Sequence, residues 1–353
     1  MPALSPRAAE FVDREERAAC NAESVKKLLR RTRRHWSVVA LADHFDVSPR
    51  MVRDVIRALE DAGTTMNVSD DGLALSADIP KAKATVIDRS SPEKEIIFGV
   101  TADNHLCSKY ARIDVLEALF SIWADAGVKD VYQGGNMIDG EARFNVHDLV
   151  ARGVEGQIEY FIEHWPRREG ITTHYVTGDD HEGWYVQRDH IDIGRLMQDR
   201  AMQAGRTDLH YLGHMEHDIE LRAPKGSAIM LLMHAGGGST YATSYTSQKL
   251  AESFGSGDKP QVMLIGHYHK AEYCYPREIH ALQLGATQDQ SPWMRKKKIA
   301  SNVGGWTVRL RQDEYGIITS FQVQWHPFYD RGFYTDKKWR YHWNAKHLRA
   351  KAA

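Results

Sequence analysis

Cysteine is scarce: three residues in 353, Cys20, Cys107 and Cys274, set far apart and forming no CxxC pair. That excludes a disulfide framework and suits a reducing, cytoplasmic compartment. No run approaches roughly 18 consecutive apolar residues, so no membrane span is expected. The opening MPALSPRAAEFVDREER lacks a continuous apolar stretch, so no secretory signal is expected either. An excess of one charge is also missing. Lys plus Arg number 46 against 47 for Asp plus Glu, leaving −1, and any basic surface must be local. Internal repeats and low-complexity tracts are absent. What remains is an ordinary globular mix, 42% apolar and 26% charged, which rules out wholesale disorder. The chain is about twice a typical domain of roughly 150 residues, long enough for one large core and a smaller module. There are 18 histidines, and their spacing carries most of the information.

The chain divides where polar, proline-broken sequence runs from Ile79-Pro80-Lys81 to Ser91-Pro92-Glu93, a stretch that reads as a linker over 81–94. Before it the patterns are helical. Val25, Leu28 and Leu29 make one apolar face, and Val38–Phe45 forms a short helix. Ser48 suits an N-cap and Pro49 a first helical position. Met51, Val52, Val55, Ile56 and Leu59 then recur at helical spacing, with Gly63 as the stop. Asn67–Leu75 reads as a hairpin turning at Asp71-Gly72. This order over residues 22–78 resembles a winged helix-turn-helix, and a domain at 1–80 is expected. Between Glu23 and Glu60 there are nine Lys/Arg against five Asp/Glu. The resemblance implies that the last helix presents Arg50, Arg53 and Arg57 to nucleic acid. The bland reading is a docking or dimerising module with solvated arginines, which would make a homo-oligomer.

After the linker, short apolar runs alternate with helical stretches, and five runs end in Asp, Asn or His. Ile96–Thr101 leads to Asp103 and His105, and Val131–Gly135 to Asn136 and Asp139. Thr173–Thr177 leads to Gly178-Asp179-Asp180-His181-Glu182, Ile229–Met233 to His234, and Val262–Ile265 to Gly266-His267-Tyr268-His269. Buried strands aim residues at their C-terminal ends, where open α/β sheets build sites, and glycine permits the sharp turns and close approaches needed there.

These five motifs resemble those of the calcineurin-like metallophosphoesterases, over roughly residues 95–285. The resemblance implies an α/β fold: a four-layer α/β/β/α metallophosphoesterase sandwich over 95–330, preceded by the small winged-helix domain. It also implies a two-metal site. Asp103, His105 and His269 would hold one ion, and Asp180, His234 and His267 the other, with Asn136 bridging. His181 would face the scissile phosphate as the catalytic residue. Two divalent ions about 3.5–4 Å apart acidify a water and clamp phosphate oxygens. Histidine and carboxylate ligands suit manganese first, with iron or zinc as alternatives, over calcium.

Two positions depart from the family pattern. The bridging residue, usually Asp, is Asn136, and the third-motif ligand, usually Asn, is Asp180. One reading is a carboxylate moved with two metals kept. A second is a site in which one metal is lost or exchanges. A third is a shifted alignment in which Asp139 or Asp179 supplies the oxygen. Asp139 and Glu182 otherwise read as supporting residues or loop caps. Arg143 is a candidate phosphate clamp, since guanidinium binds two oxygens at once, or else a surface arginine. His214 and His217 read as surface residues. Gly236–Gly238 is either a phosphate-facing loop or a tight connection.

Beyond Gly285, Trp293 precedes the basic run Arg295–Lys298, and 306–310 and 317–323 read as edge strands. From 331 to 353, seven Lys/Arg face one acid among aromatic rings, a tail suited to bases and phosphates or one packed on the domain. Three functions follow. The first is a metal-dependent phosphodiesterase hydrolysing nucleic acid, a DNA nuclease. The second is a small-molecule phosphoesterase with a dimerising winged helix. The third is a DNA-binding regulator with a degenerate phosphoesterase domain, a reading favoured only by Asn136.

Overall fold

A computed structural model describes residues 20–32, 36–62, 64, 66–69, 72–75, 84–88, 95–238, 240–255 and 257–328. The Asp71 side of the hairpin turn, the Gly63 helix stop, most of the expected linker and the 331–353 tail lie outside the described residues. The chain separates into two compact units, 1–82 and 83–353.

In the first unit, helices α1 (Ala22–Thr32), α2 (Val38–Phe45) and α3 (Pro49–Asp61) precede strands β1 (Met66–Ser69) and β2 (Gly72–Leu75). Ser37 caps α2 by accepting the Ala40 N–H, and Ser48 accepts that of Met51 at the start of α3. Val25, Leu28, Leu29, Leu41, Val52, Ile56 and Leu59 form the buried core. Placing Val52, Ile56 and Leu59 inside turns Arg50, Arg53 and Arg57 outward, and all three are exposed. Strands β1 and β2 pair antiparallel, Met66 opposite Leu75.

The second unit holds β3 (Thr85–Asp88), β4 (Glu95–Thr101), α4 (Ile113–Asp125), β5 (Asp130–Gly134), α5 (Val154–His164), β6 (Thr172–Thr177), α6 (Trp184–Asp189), α7 (Ile193–Gln203) and β7 (Leu209–His214). It continues with β8 (Glu216–Ala223), β9 (Gly226–His234), α8 (Tyr245–Ser253), β10 (Val262–Gly266), β11 (Ala271–Cys274), β12 (His280–Leu284), α9 (Pro292–Lys296), β13 (Val303–Gln312) and β14 (Ile318–Phe328). Two six-stranded sheets result, ordered β14-β13-β4-β5-β6-β7 and β11-β12-β10-β9-β8-β3. The neighbours β4, β5, β6 and β7 run parallel, as do β9, β10 and β12.

Strand alternation explains how the sheets pack. Phe98, Val100, Met230, Leu232, Val262 and Leu264 share one core between the sheets. The opposite faces bury Leu231, Met233, Met263 and Ile265 against Ala251 of α8. A further core joins Leu116, Leu119 and Trp123 of α4, Phe161 of α5 and Met197 of α7 to the outer face of the first sheet. The unit is therefore mixed α/β, two parallel-rich sheets face to face with helices outside.

The stretch read as linker contains a strand. Thr85–Asp88 pairs parallel with β8 at the edge of the second sheet, with Ile87 buried. His217, read as a surface residue, is instead buried, and its Nε2 lies 2.9 Å from Thr85 Oγ1. His214 is exposed. Of the two strands expected at sheet edges, β14 is the edge and β13 lies between it and β4. Among the described residues, no helix is long and apolar enough to cross a membrane.

Candidate metal centre

The C-terminal ends of β4, β5, β6, β9 and β10 converge. A Cβ on Gly266 at the end of β10 would collide with the Gly134 carbonyl oxygen of β5, so glycine there is what lets the two sheets approach. One group of donors consists of Asp103, His105 and His269. His105 Nε2 lies 3.3 Å from His269 Nε2, and Asp103 Oδ1 lies 3.7 and 3.5 Å from them. A point equidistant from the three atoms is about 2.0 Å from each, the length of a metal–ligand bond. The second group is Asp180, His234 and His267. Asp180 Oδ1 is 3.1 Å from His234 Nε2, and Oδ2 is 3.4 Å from His267 Nδ1.

Partners on the far ring nitrogens fix which atom faces each group. His105 Nδ1 pairs with Asp139 Oδ1 at 2.9 Å, leaving Nε2 inward. His234 Nδ1 donates to the Gly134 carbonyl at 2.8 Å, and His267 Nε2 donates to that of Gly237 at 2.7 Å. Orientation through the second nitrogen is how metal-binding imidazoles are held. Asn136 joins the groups: its Nδ2 donates to Asp180 Oδ1 at 2.8 Å and lies 3.1 Å from His234 Nε2. The two positions whose residue types depart from the resembled pattern are thus hydrogen-bonded to each other.

Burial opposes ionisation of Asp103, but His269, His105 and His234 outweigh it and hold the carboxyl down at about 2. Burial likewise opposes ionisation of Asp180, and His234 and His267 hold it well below the usual range. Burial pushes the His269 imidazole down to about 3, the neutral form a metal requires. For His105, burial is overcome by Asp103 and Asp139, which raise it to about 10. Among the described residues seven buried side-chain atoms have no hydrogen-bond partner, and four are on these residues: Asp103 Oδ1, Asn136 Oδ1 and His267 Nδ1, and also His269 Nδ1, the ring nitrogen turned away from the first group. Each such atom costs about 1–3 kcal/mol unless something satisfies it. The Asp and His donor set fits a divalent metal.

Backbone strain concentrates at the same place. Asp103, His105, His181, His267 and His269 all have positive φ, between 29 and 90°, a region that costs an L-residue roughly 1–2 kcal/mol.

The remaining expected residues fall as follows. His181 Nδ1 lies 2.9 Å from the same Asp139 oxygen that holds His105, and its ring lines a cavity of about 400 Å³ bordered by Asp180, His267 and His269. Glu182 is fully buried and accepts the N–H groups of Gly178, Met137 and Ile138, tying the β6 turn to the β5 turn. Burial raises its carboxyl to about 7, against the pull of those N–H donors. A third group of donors close enough to hold an ion is His105, Asp139 and His181. Asp179 stands outside all three groups, and its carbonyl accepts from Gln187. Arg143 is exposed, and the cavity wall at this turn is its neighbour Phe144.

Sequence reasoning missed three supports. Gln133 donates to Asn104 Oδ1, and Asn104 donates to Thr101 and Thr287, all buried. Arg112, completely buried, donates to Asp289 at 3.0 Å and twice to Asp114 at 2.8 Å. Phe144 and Trp293 stack at 5.0 Å on the cavity wall. A polar residue inside an apolar run, as at Gln133, was the only sequence signal for any of these.

No protein-family model matches the chain, and no curated protein matches it. Solved structures do. One is a novel archaeal phosphodiesterase, at 9% identity and TM-score 0.35 over 65% of this chain and 100% of that one. Zinc-complexed Vps29 from Entamoeba histolytica is similar at 13% identity and TM-score 0.32, over 66% and 99%. GAP50, the anchor in the inner membrane complex of Plasmodium, is similar at 10% identity and TM-score 0.36, over 66% and 84%.

Proposed function

We propose that the chain is a metal-dependent phosphodiesterase of the calcineurin-like kind, that it hydrolyses nucleic acid, DNA in the first instance, and that residues 1–80 are a winged helix-turn-helix that holds the substrate. The carrying observation is the convergence of Asp/His donor groups, with partnerless buried atoms on Asp103, Asn136 and His267, beside a cavity that His181 faces. Asp103, His105 and His269 would hold one divalent ion, and Asp180, His234 and His267 a second, with Asn136 between them. When bound, such ions supply Lewis acidity to phosphate oxygens and lower the pKa of a water.

The chain's own residues do the rest. Asp139 accepts from His181 Nδ1, which turns Nε2 toward the cavity, where it holds the proton for the leaving oxygen. The same carboxylate fixes His105, so the proton donor and a ligand keep one relative position. Arg50, Arg53 and Arg57 offer exposed cations along α3 for phosphates.

The test is incubation with labelled single- and double-stranded DNA plus manganese, with the products sized. Shortened DNA is expected, abolished by chelation and restored by manganese. His181→Ala should lower turnover roughly 10²–10⁴-fold with metal content retained. Cleavage that survives exhaustive chelation, or a His181 variant that loses metal, would overturn the reading. Hydrolysis of small diesters without DNA cleavage would move the assignment to a small-molecule phosphoesterase.

A further inference from the structure

Part of the cavity wall is aromatic and belongs to neither Asp103, His105 and His269 nor Asp180, His234 and His267. Phe144 and Trp293 stack with their ring centroids 5.0 Å apart and planes at 25°. The pair stays partly open to solvent, with Phe144 39% exposed. Phe144 also meets the His181 ring edge to face at 5.2 Å, so the aromatic wall begins one ring away from the residue placed on the scissile phosphate. Lys297 Nζ lies 6.0 Å from the Trp293 ring centre and lines the same cavity.

Both rings stand on rigid supports. Phe144 lies in a turn closed by buried Asn145, whose Oδ1 accepts the Ala142 N–H at 2.8 Å and whose Nδ2 donates to the Asp139 carbonyl at 2.9 Å. Gln157 adds a bond to the Gly140 carbonyl of that turn. Trp293 sits on α9, where Ser291 accepts the Met294 N–H and Met294 is buried. An aromatic face open to a cavity takes a flat ring in offset stacking.

We infer that Phe144 and Trp293 form a stacking subsite for the nucleobase of the nucleotide next to the scissile phosphate, with Lys297 beside it for a neighbouring phosphate. This rests on the phosphodiesterase reading and narrows it. A cavity of about 400 Å³ falls in the usual range of roughly 300–1,000 Å³ for small-ligand sites and takes one nucleotide rather than a duplex. A base inside a duplex already stacks on its neighbours, so a base on this wall has left the helix. The substrate class is therefore an unpaired or terminal nucleotide, and single strands or frayed ends are cut in preference to the interior of a duplex.

Two measurements on the full chain test this. The first uses 2-aminopurine deoxyribonucleoside 5′-monophosphate in chelator, where stacking quenches its fluorescence. Quenching is expected, lost in Trp293→Ala and Phe144→Ala and kept in Trp293→Tyr. The second compares the p-nitrophenyl ester of thymidine 5′-monophosphate with its abasic counterpart, in manganese. The parent should favour the base-bearing ester by about 5- to 100-fold in kcat/KM, the range for one stacked base, and the alanine variants should bring that ratio toward one. An unquenched probe, or a ratio that the variants leave unchanged, overturns the subsite. If neither ester is cleaved while the quench persists and depends on Trp293, the phosphodiesterase reading fails and the base subsite stands.

Discussion

At Asn136 and Asp180, the two positions that depart from the resembled pattern, a single 2.8 Å hydrogen bond joins the amide to the carboxylate. If Asp180 carries the charge that a bridging carboxylate would have carried, Asp180→Asn leaves Asp103 as the one anion among the proposed ligands. The ion between Asp180, His234 and His267 should be lost first, and the double variant Asn136→Asp, Asp180→Asn should recover it. Metal content by mass spectrometry on the three proteins decides this, and two metals held undiminished by the single variant would refute charge exchange. The candidate ligand positions were legible because each lies just past an apolar run. Asp139 was legible as a support or as an alternative metal oxygen, but not as the partner of two histidines, because those lie 34 and 42 positions away. Arg112 gave no signal, since its partner Asp289 is 177 positions away. Outside the site, His280 stacks on Phe321 at 4.3 Å and bonds Tyr273 Oη. Burial lowers its imidazole from the ordinary 6.5 to about 4. A histidine depressed in the fold binds its proton more readily when unfolded, so its stability contribution is present above pH 6.5 and lost as pH falls toward 4. Urea unfolding between pH 7 and 4.5 should show that loss, and His280→Phe should reduce it without abolishing it, because burial lowers His269, His217 and His326 as well.

The elements that matter most for the site are the turns at the strand ends, and two glycines separate their two constraints. Gly135 and Gly153 both have positive φ, 81 and 69°. A Cβ on Gly135 would meet His234 Nδ1 at 2.5 Å, whereas one on Gly153 meets nothing within 4 Å. Gly153→Ala should cost only the backbone strain, about 1–3 kcal/mol at its φ of 69° and ψ of 162°, with metal binding kept. Gly135→Ala should displace His234 from the Gly134 carbonyl as well and lower metal affinity. Thermal melts with and without manganese distinguish the two, and equal metal-induced stabilisation in both variants would contradict the placement of His234. The same scale shows why strand β3 escaped the sequence reading. It has four residues, one buried side chain, proline-broken polar sequence before it, and a partner in β8 that comes some 130 residues later. The central strands were legible because β5 and β10 are buried on both faces, and β10 reads as a continuous apolar run while β5 does so apart from Asp130 and Gln133. The stack of Phe144 on Trp293 joins a turn to a short helix far along the chain, and no local period encodes such a meeting.

For the whole molecule, the two compact units divide the proposed labour, since every candidate metal ligand lies after residue 95. Changing Arg50, Arg53 and Arg57 to alanine should weaken binding to long DNA. It should also reduce the slope of log affinity against log salt by roughly 0.9 for each phosphate no longer neutralised. Hydrolysis of a small diester should persist. An unaltered salt slope in a filter-binding or anisotropy titration would argue for a docking module instead. The order of strands in the first sheet has a consequence for how the protein comes into being. Strand β4 begins the unit's central sheet, yet its second neighbour is β13, with Val100 opposite Trp306. Throughout synthesis of the intervening two hundred or so residues, the edge bearing Ile96, Phe98 and Val100 has no partner. An unpaired apolar edge is a template for another chain. A ribosome stalled after Ser301 has already made every candidate metal ligand and still lacks the strand that covers this edge of β4. Yield of intact protein will therefore follow growth temperature and chaperone supply, because the hazard falls before the native state exists.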